Sequence, residues 1–170
     1  MKAVFMGTPE YALPVLTALL DAAYDVVGVY TQPDRSKGRS RQLSLSPVKQ
    51  FALSKGLTVF QPDSFRAHCD QDALETISVD VIIVAAYGLL LPSRILNLSP
   101  FGCLNVHPSL LPKYRGSSPV STTILSGDSM TGVTIIKLDQ GIDTGPIVAQ
   151  RETITKPKEN ASELTYRLFE

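Results

Sequence analysis

Two cysteines in 170 residues, Cys69 and Cys103, are too few for a disulfide framework. They stand at no metal-ligand spacing and form no CxxC pair, so both read as packing residues in a cytoplasmic chain. Charge of one sign is also missing: 16 Lys and Arg balance 16 Asp and Glu, which leaves no global field to draw in nucleic acid or a membrane surface. No run of about 18 apolar residues exists, so no membrane-spanning helix is expected. An apolar run begins directly after Met1-Lys2, leaving no room for a signal or transit peptide. There is no internal repeat, no GxGxxG dinucleotide fingerprint and no GxSxG nucleophile elbow. What is present is 44% hydrophobic residues, enough for one domain with a real core.

Short apolar runs alternate with helical patterns. Lys2 to Met6 stops at Gly7-Thr8-Pro9, and Leu13, Leu16, Leu19 and Leu20 then recur at helical spacing, with Pro14 acceptable in a first turn. Asp25 to Thr31 reads as an interior parallel strand. Gln32 to Arg41 reads as a polar loop gathering Arg35, Lys37, Arg39 and Arg41, and no acid follows Asp34 before Asp63. Such a loop suits phosphates, or is only solvated. Pro47 to Lys55 is a short helix ahead of Gly56, Leu57 to Phe60 a strand, and Asp63 to Ile77 a helix-leaning stretch. Val79 to Ala86 is the most apolar run and the expected central strand. The leucines after it, Leu89 to Leu91, either pack under a short helix from Pro92 to Leu96 or wall an apolar pocket. Pro119 to Ser126 reads as a helix, Thr131 to Leu138 and Ile147 to Thr155 as strands, and Asn160 as the cap of a last helix, Ala161 to Phe169. The alternation predicts an α/β fold with a doubly wound, mostly parallel sheet.

The informative stretch is Asn105-Val-His-Pro-Ser-Leu-Leu-Pro-Lys-Tyr-Arg-Gly116. In a strand ended by Pro108, Asn105 and His107 project to one side and Val106 to the other. That places an amide donor and a proton carrier at the carboxyl end of a strand, the edge where open α/β sheets hold ligands. Asp143, in the glycine-bracketed loop 139–146, can reach the same edge. A carboxylate near an imidazole orients it and favours its charged form, and an imidazolium beside an amide can stabilise an oxyanion. With no activated nucleophile, the pattern points to direct acyl transfer between two bound molecules.

These residues, with Asp143-Thr-Gly145, resemble the folate-dependent formyltransferase family. Gly7-Thr8-Pro9-Glu10-Tyr11-Ala12, the segment Val29 to Arg35 with its basic loop, and Ala86-Tyr87-Gly88 resemble the branch acting on initiator methionyl-tRNA. The resemblance runs the length of the chain. It implies a Rossmann-like formyltransferase fold, 10-formyltetrahydrofolate as formyl donor and no metal. Asn105, His107 and Asp143 would be catalytic. Ser109, Leu110, Leu111 and Pro112, with Leu89, Leu91, Gln140, Gly141 and Ile142, would hold the folate. Gly7, Thr8 and Pro9 would face the aminoacyl end of the tRNA, and Arg35, Lys37, Arg39 and Arg41 its phosphates. It further implies a monomer without membrane attachment, in which residues 1–170 form an N-terminal catalytic domain short of its last elements, and a C-terminal tRNA-binding β-barrel lies outside this chain. The rival expectations are a formyltransferase acting on another amine, such as glycinamide ribonucleotide or an amino-sugar nucleotide, and a non-catalytic folate-binding module.

Overall fold

The computed structural model describes residues 1–37, 42–66 and 68–170, and for residues 36, 37, 42, 68 and 69 the backbone alone. Arg39 and Arg41 lie outside the described residues. The chain divides into two compact units, Met1–Cys103 and Leu104–Glu170.

The first unit starts with β1 (Lys2–Gly7), buried from Ala3 onward. A turn through Thr8 and Pro9 and one 3-10 turn (Glu10–Ala12) lead into α1 (Leu13–Asp21), with Pro14 in its first turn. There the absent N–H has no partner to lose. β2 (Asp25–Tyr30) follows. Where the sequence suggests only a polar loop, the backbone instead forms β3 (Arg35–Lys37) and β4 (Gln42–Ser44), antiparallel, with Arg35 opposite Ser44 and Lys37 opposite Gln42. Leu43 is the one apolar residue in these two strands, and it is 73% exposed. The ribbon rests on backbone pairing and carries no apolar alternation by which a strand is recognised. α2 (Pro47–Ser54) is capped by Ser46, whose hydroxyl accepts the Lys49 N–H at 3.0 Å. β5 (Val59–Phe60) and α3 (His68–Glu75) come next, the helix shorter than its polar flanks suggest. β6 (Val81–Ala85) and α4 (Ser93–Leu96) complete the unit. Its strands lie in the order β5-β2-β1-β6, all parallel. Parallel neighbours require crossovers, and α1 to α3 supply them.

Beside β2, Tyr30 stacks on Phe60 with ring centroids 4.7 Å apart, and Phe65 sits between Tyr30 and Tyr87. Burial pushes both tyrosine hydroxyls well above their usual range.

The second unit contains β7 (Cys103–His107), which begins at the last residue of the first, then α5 (Pro119–Ser126), β8 (Met130–Lys137), β9 (Ile147–Ile154) and α6 (Ala161–Phe169). Here β7, β8 and β9 are antiparallel, so the parallel pattern belongs to the first half of the chain. A nine-residue helix-free connection joins β8 to β9, too short for a crossover back to a parallel start. α6 opens with a capping box, in which Asn160 accepts the Ser162 and Glu163 N–H groups and Glu163 returns a bond to the Asn160 N–H. Leu164 and Leu168 of α6 pack with Val120 of α5. Among the described residues no helix is long and apolar enough to cross a membrane.

Arg167 ties α6 to β9. Its guanidinium donates to both Glu159 oxygens (2.7 and 2.8 Å), to Thr153 Oγ1 and to the Ile154 carbonyl. The hydrogen bonds from Arg167, more than their charge, hold the Glu159 carboxyl down to about 2 from 4.5. A depressed carboxylate adds stability above its unfolded value and loses it as pH falls through the folded one. The Glu159→Gln variant is therefore expected to be less stable at pH 7, and to lose less than the parent between pH 4.5 and 2. Urea unfolding across that range checks it.

Candidate active site

Period two decides the centre of the second unit. On β7, Asn105 lies opposite Ile136 of β8 and His107 opposite Thr134, so both project from one face. Asn105 is half-exposed, and its amide has no hydrogen-bond partner among the described residues. His107 is 3% exposed and held at both ring nitrogens. Nε2 lies 2.9 Å from the Tyr114 carbonyl oxygen. A carbonyl only accepts, so Nε2 carries a proton. Nδ1 faces Asp143 Oδ2 at 3.5 Å, an ion-pair distance and longer than a good hydrogen bond.

Asp143 arrives from the β8–β9 connection with a left-handed backbone (φ 50°), a conformation that Asp and Asn tolerate better than most side chains. The same Oδ2 accepts the Gly116 N–H at 2.8 Å. That bond ties the 139–146 connection to the segment that follows β7. Gly145 is required there, because a Cβ on it would overlap the Lys137 carbonyl.

The segment after Pro108 is built of short contacts. The Ser109 N–H donates to the His107 carbonyl at 2.9 Å, and the Ser109 hydroxyl to the Lys113 carbonyl at 2.6 Å. Tyr114, left-handed at φ 56°, sends its hydroxyl to Asp128 Oδ2 at 2.8 Å, while Lys113 Nζ lies 3.3 Å from the same oxygen. The Tyr114 hydrogen bond is the main reason the Asp128 carboxyl sits below its usual range, with Lys113 adding to it. Tyr114 and Asp128 thus fix the carbonyl that orients His107, and nothing in their spacing announced it.

Of the candidate folate residues in this unit, Ser109 and Leu111 are buried, Leu110 is half-buried and Pro112 exposed. Gln140, Gly141 and Ile142 are exposed, Ile142 at 66%. In the first unit Leu89 and Leu91 are half-buried and Leu90 is 88% exposed, ahead of an α4 that buries Ile95 and Leu96.

The candidate aminoacyl-facing turn is also in the first unit. Thr8 Oγ1 donates to the Tyr87 carbonyl at 3.0 Å and accepts the Gln32 N–H at 3.3 Å. Gln32 Nε2 donates to the same carbonyl at 2.9 Å, and its Oε1 accepts Arg35 Nη2 at 2.7 Å. Gln32 therefore joins the turn after β1, the turn after β6 and the first residue of β3. Gly88 makes room for it, since a Cβ there would run into Gln32 Nε2. Gln61 donates to the Gln32 carbonyl and to Asp34 Oδ1, and Lys49 bridges Asp34 and Gln61 at 2.6 Å each. Lys49 thus spends its charge on Asp34, and Arg35 stays exposed. The sequence places Gln32 in a polar loop and Lys49 among the positive charges after it, but their contacts with each other's neighbours and with Gln61 carry no spacing signal.

A family model described as formyl transferase matches residues 1–170. The chain belongs to the formyl transferase family. It is 48% identical over 170 residues to the methionyl-tRNA formyltransferase of Marinobacter nauticus, covering 100% of this chain and 55% of that protein. It is 49% identical over 165 residues to the methionyl-tRNA formyltransferase of Syntrophus aciditrophicus, covering 97% and 53%. The chain thus spans about half the length of the curated relatives it matches. The crystal structure of phosphoribosylglycinamide formyltransferase from Bacillus halodurans is similar in fold, with a TM-score of 0.80 at 23% identity, covering 99% of this chain and 87% of that one. The fold is accordingly the doubly wound α/β fold expected from the strand–helix alternation, and Rossmann-like as the family resemblance implies.

Because Tyr114 anchors the His107 carbonyl partner through Asp128, Tyr114→Phe is expected to lower stability, as loss of a hydrogen bond to a charged group does. It is also expected to raise the Asp128 titration toward its ordinary value and to shift the His107 ring resonances. Chemical unfolding and NMR titration measure these. An unmoved Asp128 titration would show that the phenol is not what holds it down.

Proposed function

We propose that the protein transfers the formyl group of 10-formyltetrahydrofolate to the α-amino group of initiator methionyl-tRNA, with residues 1–170 supplying the catalytic part and a separate tRNA-holding β-barrel domain completing the enzyme in the cytoplasm. The observation that carries the reading is the Asn105 amide, without a hydrogen-bond partner among the described residues, two residues along β7 from a buried histidine that faces Asp143. Sequence kinship favours this amine over others, because relatives at 48–49% identity are named for methionyl-tRNA. The likeness to phosphoribosylglycinamide formyltransferase at 23% extends to the fold alone.

The chemistry follows from the groups available. The amine nitrogen attacks the formyl carbon, and the carbonyl π pair moves to oxygen. The Asn105 N–H donates to that oxygen as its charge grows, which favours the transition state over the ground state. His107, held at Nε2 by the Tyr114 carbonyl, presents its Nδ1 side to Asp143, and that pair takes up the proton the amine loses. The C–N10 bond then breaks, N10 takes a proton, and the formylated amine leaves. No covalent enzyme intermediate is needed. Leu110, Pro112 and the 140–142 backbone of the second unit meet the folate, with Ser109 and Leu111 supporting them from within, and the family resemblance also assigns Leu89 and Leu91 of the first unit to folate binding. Gly7, Thr8 and Pro9 face the aminoacyl end. Arg35, Lys37, Arg39 and Arg41 meet phosphates and position the tRNA without reading bases.

His107→Ala is expected to lower the transfer rate about 10²–10⁴-fold while a stable folate analogue binds within a few-fold of the parent. Single-turnover formylation beside calorimetric titration separates the two, and a variant that turns over normally would remove His107 from the mechanism. Replacing the four loop cations with glutamate is expected to make the salt dependence of tRNA binding shallower. An unchanged slope would return that segment to solvent.

A further inference from the structure

We propose that Gln150, acting with Thr134, is a positioning residue that sets folate affinity by holding the backbone of Leu111 in place. The inference rests on the folate reading of residues 109–112.

Its basis is a row of residues across the antiparallel strands. His107 lies opposite Thr134, and Thr134 opposite Gln150, so the three share one face of β7, β8 and β9. The 109–111 segment lies against this row. Thr134 is fully buried, and its hydroxyl donates to the Ser109 carbonyl at 2.6 Å and accepts the Leu111 N–H at 3.1 Å. Gln150 Nε2 donates to the Leu111 carbonyl at 2.8 Å and to Thr134 Oγ1 at 2.9 Å. Both backbone groups of Leu111 are therefore satisfied by side chains, and the Thr134 oxygen has one donor and two acceptor positions filled. Two residues along β8, Gly132 completes the seat: a Cβ on it would overlap the Arg151 carbonyl and press on Leu110. The clamp turns Leu111 inward and leaves Pro112 exposed, while half-buried Leu110 packs over Gly132.

Gln150 is the informative member because its own strand does not need it. All but one residue of β9 are exposed, and in an exposed strand side-chain identity matters little unless the side chain reaches something. Here it reaches the loop that begins two residues beyond His107. A ligand that packs on a pre-set loop does not spend binding energy ordering it.

The test uses this chain with a stable 10-formyltetrahydrofolate analogue, by calorimetry, under conditions where urea unfolding shows every variant fully folded. Gln150→Ala and Thr134→Val are each expected to weaken binding roughly tenfold, and Thr134→Ser, which keeps the hydroxyl, to restore the parent affinity. Hydrogen exchange at the Leu111 amide is expected to quicken in Thr134→Val and not in Thr134→Ser. Parent-like affinity in Gln150→Ala, whatever Thr134→Val does, would overturn the inference and leave the folate reading intact. Equal weakening in Thr134→Ser and Thr134→Val would also overturn it, by making the position a matter of packing. Absence of binding by the unsubstituted chain would overturn the folate reading, and this inference with it.

Discussion

The His107 ring is gripped at both nitrogens, by the Tyr114 carbonyl at 2.9 Å and by Asp143 at 3.5 Å, and much of the second unit keeps those two partners where they are. Tyr114 is fixed through Asp128. Asp143 is fixed through Gly116 and held at the end of a connection that only glycine at 145 permits. A buried imidazole with carbonyl and carboxylate on opposite sides cannot rotate without leaving a polar group unsatisfied, which in the interior costs more than the hydrogen bond is worth in water. The ring orientation is therefore a property of three chain segments together: β7, the 108–116 segment and the 139–146 connection.

The first unit solves a similar problem with neutral groups. Its parallel strands end in two turns, one after β1 and one after β6, and Gln32 and Thr8 share the Tyr87 carbonyl between them. A carbonyl oxygen has two lone pairs, so one atom can anchor both donors. Gln32 then spends its remaining oxygen on Arg35, coupling the turn geometry to the cation at the start of β3. Lys49, by contrast, is neutralised by Asp34. Of the two basic residues, Arg35 is the one left with an exposed charge to offer.

Much of this was legible in advance. The strand–helix alternation, the first-turn prolines at 14, 47 and 119 and the Asn160 cap correspond to elements of the structure because each rests on local chemistry. The common face of Asn105 and His107 follows from strand period alone. The ribbon β3–β4 was not legible, since mostly polar strands paired by backbone bonds carry no apolar alternation. Neither were Tyr114, Thr134, Gln150 and Gln32 as supports, because a hydroxyl or amide declares no partner until the fold brings one within 3 Å or so.

The sequence by itself determined the element order, the strand that carries the amide and imidazole, and membership in a family of formyl transferases, because apolar periodicity and motif spacing are local and additive. Tertiary structure alone decided which nitrogen of His107 faces which partner, which side of the 109–112 segment is turned outward, and which basic residue keeps its charge free. Those outcomes depend on contacts between residues 7 to 55 positions apart, and the register of three antiparallel strands, absent from any single segment, sets most of them.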